Sequence, residues 1–513
     1  MATESRTQKS WLNARMNMIC FALTLLLSFF TRKIFLDYLG AEFMGFTGAV
    51  GSLLGFLNLA ELGVGLAIGY TLYAPLQKQD NVSVCEIVSL LGYLYRWIGI
   101  IIVTAGVILS LFLPYFFPDT EFSLGVIYCG YYAYLISSLL GYFINYRACL
   151  LSADQRNYVV TGYFQVTSTL KTIVQMLLAL WVCNFYLYFV IELAFGCINA
   201  IILNDKIDKT YPWLKTELKN GRKLFAKYPA VSKHVKQIFI HQFTGFVQSQ
   251  TAPLFIYGFV SLSTVALYGN YSMISQRLSG FISGVLNSTS AGVGNLIAEG
   301  DKEKIYSIYQ ELLAFRLFAA AVFSSCVFYL ATPFIVLWLG SEYVLSEMVV
   351  FLIAVQLFMG IFRGCSDQFL YGYGLFNDLW APAAEAVIFA TCAFVGGSLW
   401  GLEGVLLGPV ISVFLIVHVW KPIFLFSKGF KLSFLKYLLI VLPGVMTVFI
   451  AYWLASSCVE WLVSFLCQSV GWLDWLFEAS SFFIIMSAIY GMFLLFANKG
   501  FRVLLARVIT RKG

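Results

Sequence analysis

Apolar residues run along this chain in long unbroken stretches, such as FALTLLLSFF near the N-terminus and IGIIIVTAGVILSLFLPYFF before residue 118. A helix rising 1.5 Å per residue needs about 20 residues to cross a hydrocarbon layer of roughly 30 Å. The stretches reach that length and do not alternate apolar with polar positions, so they predict α-helices and not the short strands of a membrane barrel. Fourteen such spans are predicted, at about 15–37, 43–72, 88–116, 122–148, 157–182, 184–203, 238–260, 264–298, 306–332, 345–372, 379–398, 402–420, 436–456 and 478–497. The expected fold is an all-α polytopic membrane bundle of about 14 transmembrane helices.

Composition sharpens this reading. Of 513 residues, 60% are hydrophobic and 12% are charged, too few charges for the polar skin of a soluble enzyme. The N-terminal segment enters the first apolar run without a small-residue cleavage site, so the first helix is expected to stay uncleaved. Eleven cysteines are scattered singly with no metal-ligand spacing, and they read as small core residues. Cys458 and Cys467 alone share a predicted external loop, where a disulfide is an open alternative.

The net charge of +7 reads as topology and not as a nucleic-acid surface, because Lys and Arg fall on one set of loops. That set holds Arg6, Lys9 and Arg15, Lys78, Arg147 and Arg156, the run from Lys206 to Lys236, Lys302 and Lys304, Lys421 to Lys436, and Lys499 to Lys512. The opposite loops carry Asp119, Glu121, Glu342, Glu347, Glu403, Glu460, Asp474 and Glu478. The positive-inside rule then places both termini in the cytoplasm and requires an even number of spans.

The longest polar stretch, 204–237, divides the first twelve spans six and six. It reads as a cytoplasmic basic linker whose helix lies on anionic lipid, with a partner-binding site as the alternative. A shift of about 223 residues sets GLAIGYTLYAPLQKQD, from Gly65, beside STSAGVGNLIAEGDKE, from Ser288. Both close the long second span of a half with small residues and a charged turn, as in duplicated transporter halves. The expected organisation is a six-helix lobe at 1–203, the linker at 204–237, a second six-helix lobe at 238–420, and two further helices with a basic tail at 421–513.

Several segments carry a resemblance to a family. NLAELGVGLAIGYTLYAPLQKQD, VALYGNYSMISQRLSGF with SAGVGNLIAEGDKEK, RGCSDQFLYGYGLFNDLWAPAAEA and GLEGVLLGPVIS resemble the polysaccharide transporters of the MOP superfamily, and among them the Wzx-type flippases of O-antigen and capsule pathways. The resemblance implies two six-helix lobes in a V with two extra C-terminal helices, in a bacterial inner membrane. It also implies alternating access that carries undecaprenyl-diphosphate-linked oligosaccharide to the external leaflet, with a polysaccharide polymerase as a further candidate partner. No cofactor is implied.

Intramembrane charges are the candidate chemistry, since each costs about 2.5 to 3.5 kcal/mol at mid-bilayer unless it is paired or hydrated. Lys171, Arg277 and Arg316 each lie roughly 15 to 20 Å from a span end, too deep to snorkel. Lys171 with Glu192, on consecutive antiparallel spans, and Arg363 with Asp367, at i,i+4, read equally as structural pairs and as sites. Arg277 and Arg316 have no acid at matching depth on their own or adjacent spans, so they are the first candidates to line a wet cavity. There an arginine would offer a diphosphate two parallel hydrogen bonds. In flippases of this superfamily first-span cations are linked to the lipid diphosphate, which implies the same role for Arg32, although Lys33 and Asp37 beside it fit an interfacial pair. Glu61 sits among Gly63, Gly65 and Gly69, where a helix can bend. Glu61, Glu192 and Asp367 are the candidate groups for coupling to H⁺ or Na⁺, with helix packing as the other role open to Glu61. Tyr268 and Tyr271 could stack on sugar rings.

Two other functions compete. A multidrug or cation antiporter of the same fold would want an acidic or apolar cavity, and the deep arginines favour an anionic cargo instead. An enzyme is disfavoured because His234, His241 and His418 form no catalytic spacing and the external loops are short and lack Lys and Arg.

Overall fold

In a computed structural model the chain is described over residues 6–118, 120–287, 290–375, 377–378, 380–466 and 471–510. Among these residues it is almost entirely helical, with no strand. The helices are α1 (Arg6–Leu39), α2 (Ala41–Leu57), α3 (Val64–Gln77), α4 (Asn81–Ser110), α5 (Leu113–Phe116), α6 (Leu124–Phe143), α7 (Ala148–Ala153), α8 (Asn157–Trp181), α9 (Phe185–Thr210), α10 (Gly221–Lys227) and α11 (Pro229–Phe259). They continue as α12 (Leu262–Asn287), α13 (Ser290–Glu299), α14 (Lys302–Trp338), α15 (Glu347–Gly372), α16 (Trp380–Val413), α17 (Lys421–Phe424), α18 (Leu435–Leu466), α19 (Trp472–Ala497) and α20 (Lys499–Thr510).

Over the described residues each of the fourteen apolar stretches is mainly helical. Among the described residues ten helical segments are long and apolar enough to cross a membrane, so the chain is a multi-pass membrane protein. Two features account for the difference between ten and fourteen. α8, α11 and α12 are 25 or more residues long, but carry rows of Gln, Ser, Thr and cations that lower their apolarity. The apolar segment Trp380–Phe430 counts once although its 51 residues would measure about 76 Å, far beyond one crossing. At Gly401 the backbone turns with φ 57° and ψ −127°, a left-handed region open to glycine. The two arms fold back so closely that a Cβ on Gly404 would lie 1.8 Å from the Gly396 carbonyl oxygen.

Two compact units contain these helices. The first comprises Met1–Tyr257 with Ser261–Ala266, and the second Gly258–Val260 with Leu267–Gly513. In the first, α1 packs on α8, α6 on α9 and α4, and α3 on α4. Its core is a cluster of rings: Phe43 stacks on Phe185 at 4.7 Å and meets Tyr188 edge-on at 5.1 Å. The second span of the sequence reading is broken in this unit. α2 tightens into a 3₁₀ turn at Asn58–Glu61, and Gly63, at φ 91°, starts α3. In the second unit α14 is central, touching α15, α18, α19 and α20.

The last helix is tied to a buried acid. Glu311 on α14 is 3% exposed, and Arg507 on α20 donates to its Oε1 at 3.0 Å. Gly500 meets the Gln310 carbonyl, where a Cβ would lie 2.3 Å away, and Phe501 packs on Phe318 at 5.6 Å. Losing one partner of a fully buried pair costs about 3 to 5 kcal/mol. Arg507 is half exposed, so Arg507→Ala is expected to destabilise the second unit by about 1 to 2 kcal/mol. A lowered thermal midpoint of the purified protein would show this, and an unchanged midpoint would mean that Glu311 is satisfied without α20.

Cys467 and Asp119 lie outside the described residues, as do the side chains of Arg6, Lys9 and His241. Cys458 is an exposed free thiol.

Candidate functional site

In the first unit the charges meet along the seam of α1, α8 and α9. Lys171 Nζ reaches Glu192 Oε1 at 2.6 Å, and Gln175 Nε2 donates to Glu192 Oε2 at 3.1 Å and to the Tyr188 carbonyl at 3.3 Å. The ion pair read from the antiparallel spans is therefore present. Gln175, one turn beyond Lys171, completes it by occupying the second carboxylate oxygen. α8 continues the polar stripe toward its N-terminus, where Thr24 of α1 donates to Gln165 at 3.1 Å and Thr167 to Asn199 at 3.0 Å. This stripe explains why α8 is less apolar than its neighbours.

Arg32 extends from α1 to the first turn of α12, where its Nη2 donates to the Ala266 carbonyl at 2.6 Å. Lys33 and Asp37 form a separate surface pair at 3.3 Å, worth little on its own. Glu61 stands at the break between α2 and α3. Its Oε1 accepts from the Tyr95 hydroxyl of α4 at 2.8 Å and from the Gly65 amide at 3.3 Å. Tyr95 in turn meets Tyr142 edge-on at 5.3 Å, and Tyr142 donates to Asn58 in the same break at 3.0 Å. Tyr95 carries no sequence signal, because nothing in its spacing says which helix it faces.

In the second unit α15 gathers the charges. Arg363 Nε and Lys421 Nζ share the Asp367 carboxylate, at 3.0 Å and 3.1 Å. Lys421 was assigned to a cytoplasmic loop from sequence. It belongs to this cluster because the helical path does not end at Trp420 but continues through wide π-helical turns at Phe414–Trp420 and Leu425–Phe430. Such turns are frequent at functional positions. His418, one turn before Lys421, stacks on Phe362 at 5.5 Å and lines an apolar groove of about 470 Å³ between α14, α15 and α18.

The two deep arginines have different settings. Arg316 is 3% exposed and lies flat on the α15 backbone at Gly364, where a Cβ would come 2.2 Å from its Nη1. Nη1 donates to the Ile361 carbonyl at 3.3 Å, and Asp367 acts on it electrostatically. α14 and α15 pack along their lengths, so Arg316 faces the helix that carries Asp367, whose carboxylate is contacted by Arg363 and Lys421. Arg277 is half-buried on α12, and among the described residues no acid or hydrogen-bond acceptor pairs with it. Tyr271 is also corrected as a sugar-stacking candidate, since it is 1% exposed and its hydroxyl accepts from the Leu345 amide at 3.3 Å.

No protein-family model matches the chain, and no curated protein matches it. Solved structures do. The lipid II flippase MurJ in an inward closed conformation superposes with a TM-score of 0.62 at 12% identity, covering 93% of this chain and 98% of that one. An inward-facing multidrug resistance MATE family transporter of the MOP superfamily gives 0.61 at 14%, covering 79% and 95%. A MOP superfamily transporter from Pyrococcus furiosus, described as having a binding pocket of reversed polarity, gives 0.50 at 14%, covering 83% and 97%. At these identities the likeness is one of fold, and the chain has the fold shared by the MOP flippase and MATE transporters.

Proposed function

We propose that the chain is a Wzx-type flippase that moves an undecaprenyl-diphosphate-linked oligosaccharide, an O-antigen or capsule repeat unit, across a bacterial inner membrane by alternating access. The observation that carries this reading is the extent of the shared fold. A flippase for a lipid-linked substrate covers 93% of the chain, whereas the MATE transporter covers 79%. The intramembrane arginines support it, because a guanidinium matches phosphate oxygens with paired donors. A MATE-like cation antiporter, the second reading, gains nothing from such residues.

In this proposal the fourteen helical stretches all cross the membrane. The lobes are 1–203 and 238–420, joined by the linker at 204–237 and followed by 421–513. Arg277 makes the primary phosphate contact and Arg316, Arg32, Lys171 and Arg363 set the positive field around it. Glu61, Glu192 and Asp367 take up H⁺ or Na⁺ during the return step. The existing bonds of Lys171 and Arg363 suit exchange, since a carboxylate released by its cation can be neutralised by a proton while the cation takes phosphate.

Deletion of the gene is expected to trap undecaprenyl-linked repeat units on the cytoplasmic side, seen by chemical analysis of the lipid fraction. Unchanged lipid intermediates with increased sensitivity to cationic drugs would select the antiporter reading. Both termini and the linker are cytoplasmic in this proposal, so a cysteine at Lys227 resists an impermeant external label and one at Asp119 accepts it. External labelling at 227 would reverse the orientation.

A further inference from the structure

α4 is 30 residues long, about 45 Å, which exceeds a hydrocarbon layer of roughly 30 Å by some ten residues. Its C-terminal part, GIIIVTAGVILS, is apolar, while its start carries Asn81, Ser83 and Glu86. The excess therefore projects at the N-terminal end, into the headgroup layer.

Residues 213–228 pack along that projecting part. The Glu217 amide donates to Ser89 Oγ at 2.9 Å, and Lys227 Nζ and Tyr228 Oη both reach Glu86 Oε2 at 2.6 Å. Gly221 lies so close to Tyr93 that a Cβ there would be 2.0 Å from the ring. Gly221 and Leu224 are buried in this contact, so α10 turns most of its apolar side to the protein and leaves Phe225 as its one exposed large apolar side chain, too little to anchor an interfacial helix without the cations beside it.

Lys215, Lys219, Arg222 and Lys223 are left exposed, and none of them forms an ion pair among the described residues. The single acid within 215–225 is Glu217, whose carboxylate takes Asn220 at 3.1 Å. Four cations less one acid leave +3 over these eleven positions. Phe225, 41% exposed, stands beside them.

We propose that this docked segment is a binding platform for anionic phospholipid, with Lys215, Lys219, Arg222 and Lys223 held at headgroup depth to receive lipid phosphates and Phe225 at the acyl boundary. The tie to Glu86 holds the cations in place, which distinguishes the platform from a loose basic tail.

Titration of the detergent-purified full chain with phosphatidylglycerol or phosphatidylcholine, read by native mass spectrometry, tests the proposal. The wild type is expected to retain phosphatidylglycerol about tenfold better, the variant with all four cations changed to Gln to show no preference, and Glu86→Gln to show an intermediate one. A preference unchanged in the fourfold variant overturns the proposal. So does a preference abolished by millimolar inorganic phosphate, which would indicate a soluble-anion site. An environment-sensitive fluorophore on Phe225→Cys in phosphatidylglycerol nanodiscs is expected to resist an aqueous quencher. Full quenching would place the patch in water, where an acidic protein would be its partner, and would equally overturn the proposal.

Discussion

Arg277→Ala is expected to lower transport of the lipid-linked oligosaccharide proposed as substrate by about ten- to a hundredfold while the protein still inserts. Hydrogen bonds to charged groups contribute about 1.5 to 3 kcal/mol each, and every 1.4 kcal/mol is tenfold. Among the described residues the Arg277 guanidinium has no partner to satisfy, so its removal leaves no buried acid or carbonyl orphaned and the fold is expected to tolerate it. Arg277→Lys is expected to recover only part of the loss, because an ammonium supplies charge without the planar fork. Arg316→Ala differs in kind. It uncovers the Ile361 carbonyl and empties the space over Gly364, so its effect should appear in thermal stability as well as in transport. Normal surface polysaccharide with Arg277→Ala would remove that residue from the substrate site.

Transport into proteoliposomes is expected to run without nucleotide, to respond to an imposed ion gradient or potential, and to lose that response in Glu61→Gln. A charge moved across 100 mV changes free energy by about 2.3 kcal/mol, so about two charges on a diphosphate correspond to roughly a thousandfold bias toward the positive side. The sequence has no GxxxxGK[ST] loop to bind nucleotide phosphates. Glu61 is the first choice for the return step because it sits in the break between α2 and α3, where Gly63 already has a left-handed backbone. Its bonds to Tyr95 and Gly65 would change with its charge, and the break would change with them. An unchanged gradient response in Glu61→Gln would leave the carboxylate as a packing group tying α4 to the break.

By itself the sequence determined the helical membrane class and the approximate positions of the long apolar helices, and it marked the glycines around Glu61 as a place where a helix can bend, because these depend on local properties: run length, apolarity and the backbone freedom of glycine. It also made two ion pairs legible. Arg363 and Asp367 lie on one helix face at i,i+4, and Lys171 and Glu192 fall at equal depth on consecutive antiparallel helices. What only the tertiary structure decided is which distant faces meet. Lys421 shares Asp367 across 54 residues, Arg507 reaches Glu311 across 196, and Tyr95 finds Glu61 across 34. Arg316 lies on bare backbone because Gly364 has no Cβ, and Tyr271 is occupied by Leu345 and unavailable to a sugar. The apolar period of a helix tells which side is turned inward, but it is nearly the same on every helix of a membrane bundle, so it cannot name the neighbour. That choice is made by packing over the whole unit, and with it the partner of each buried charge.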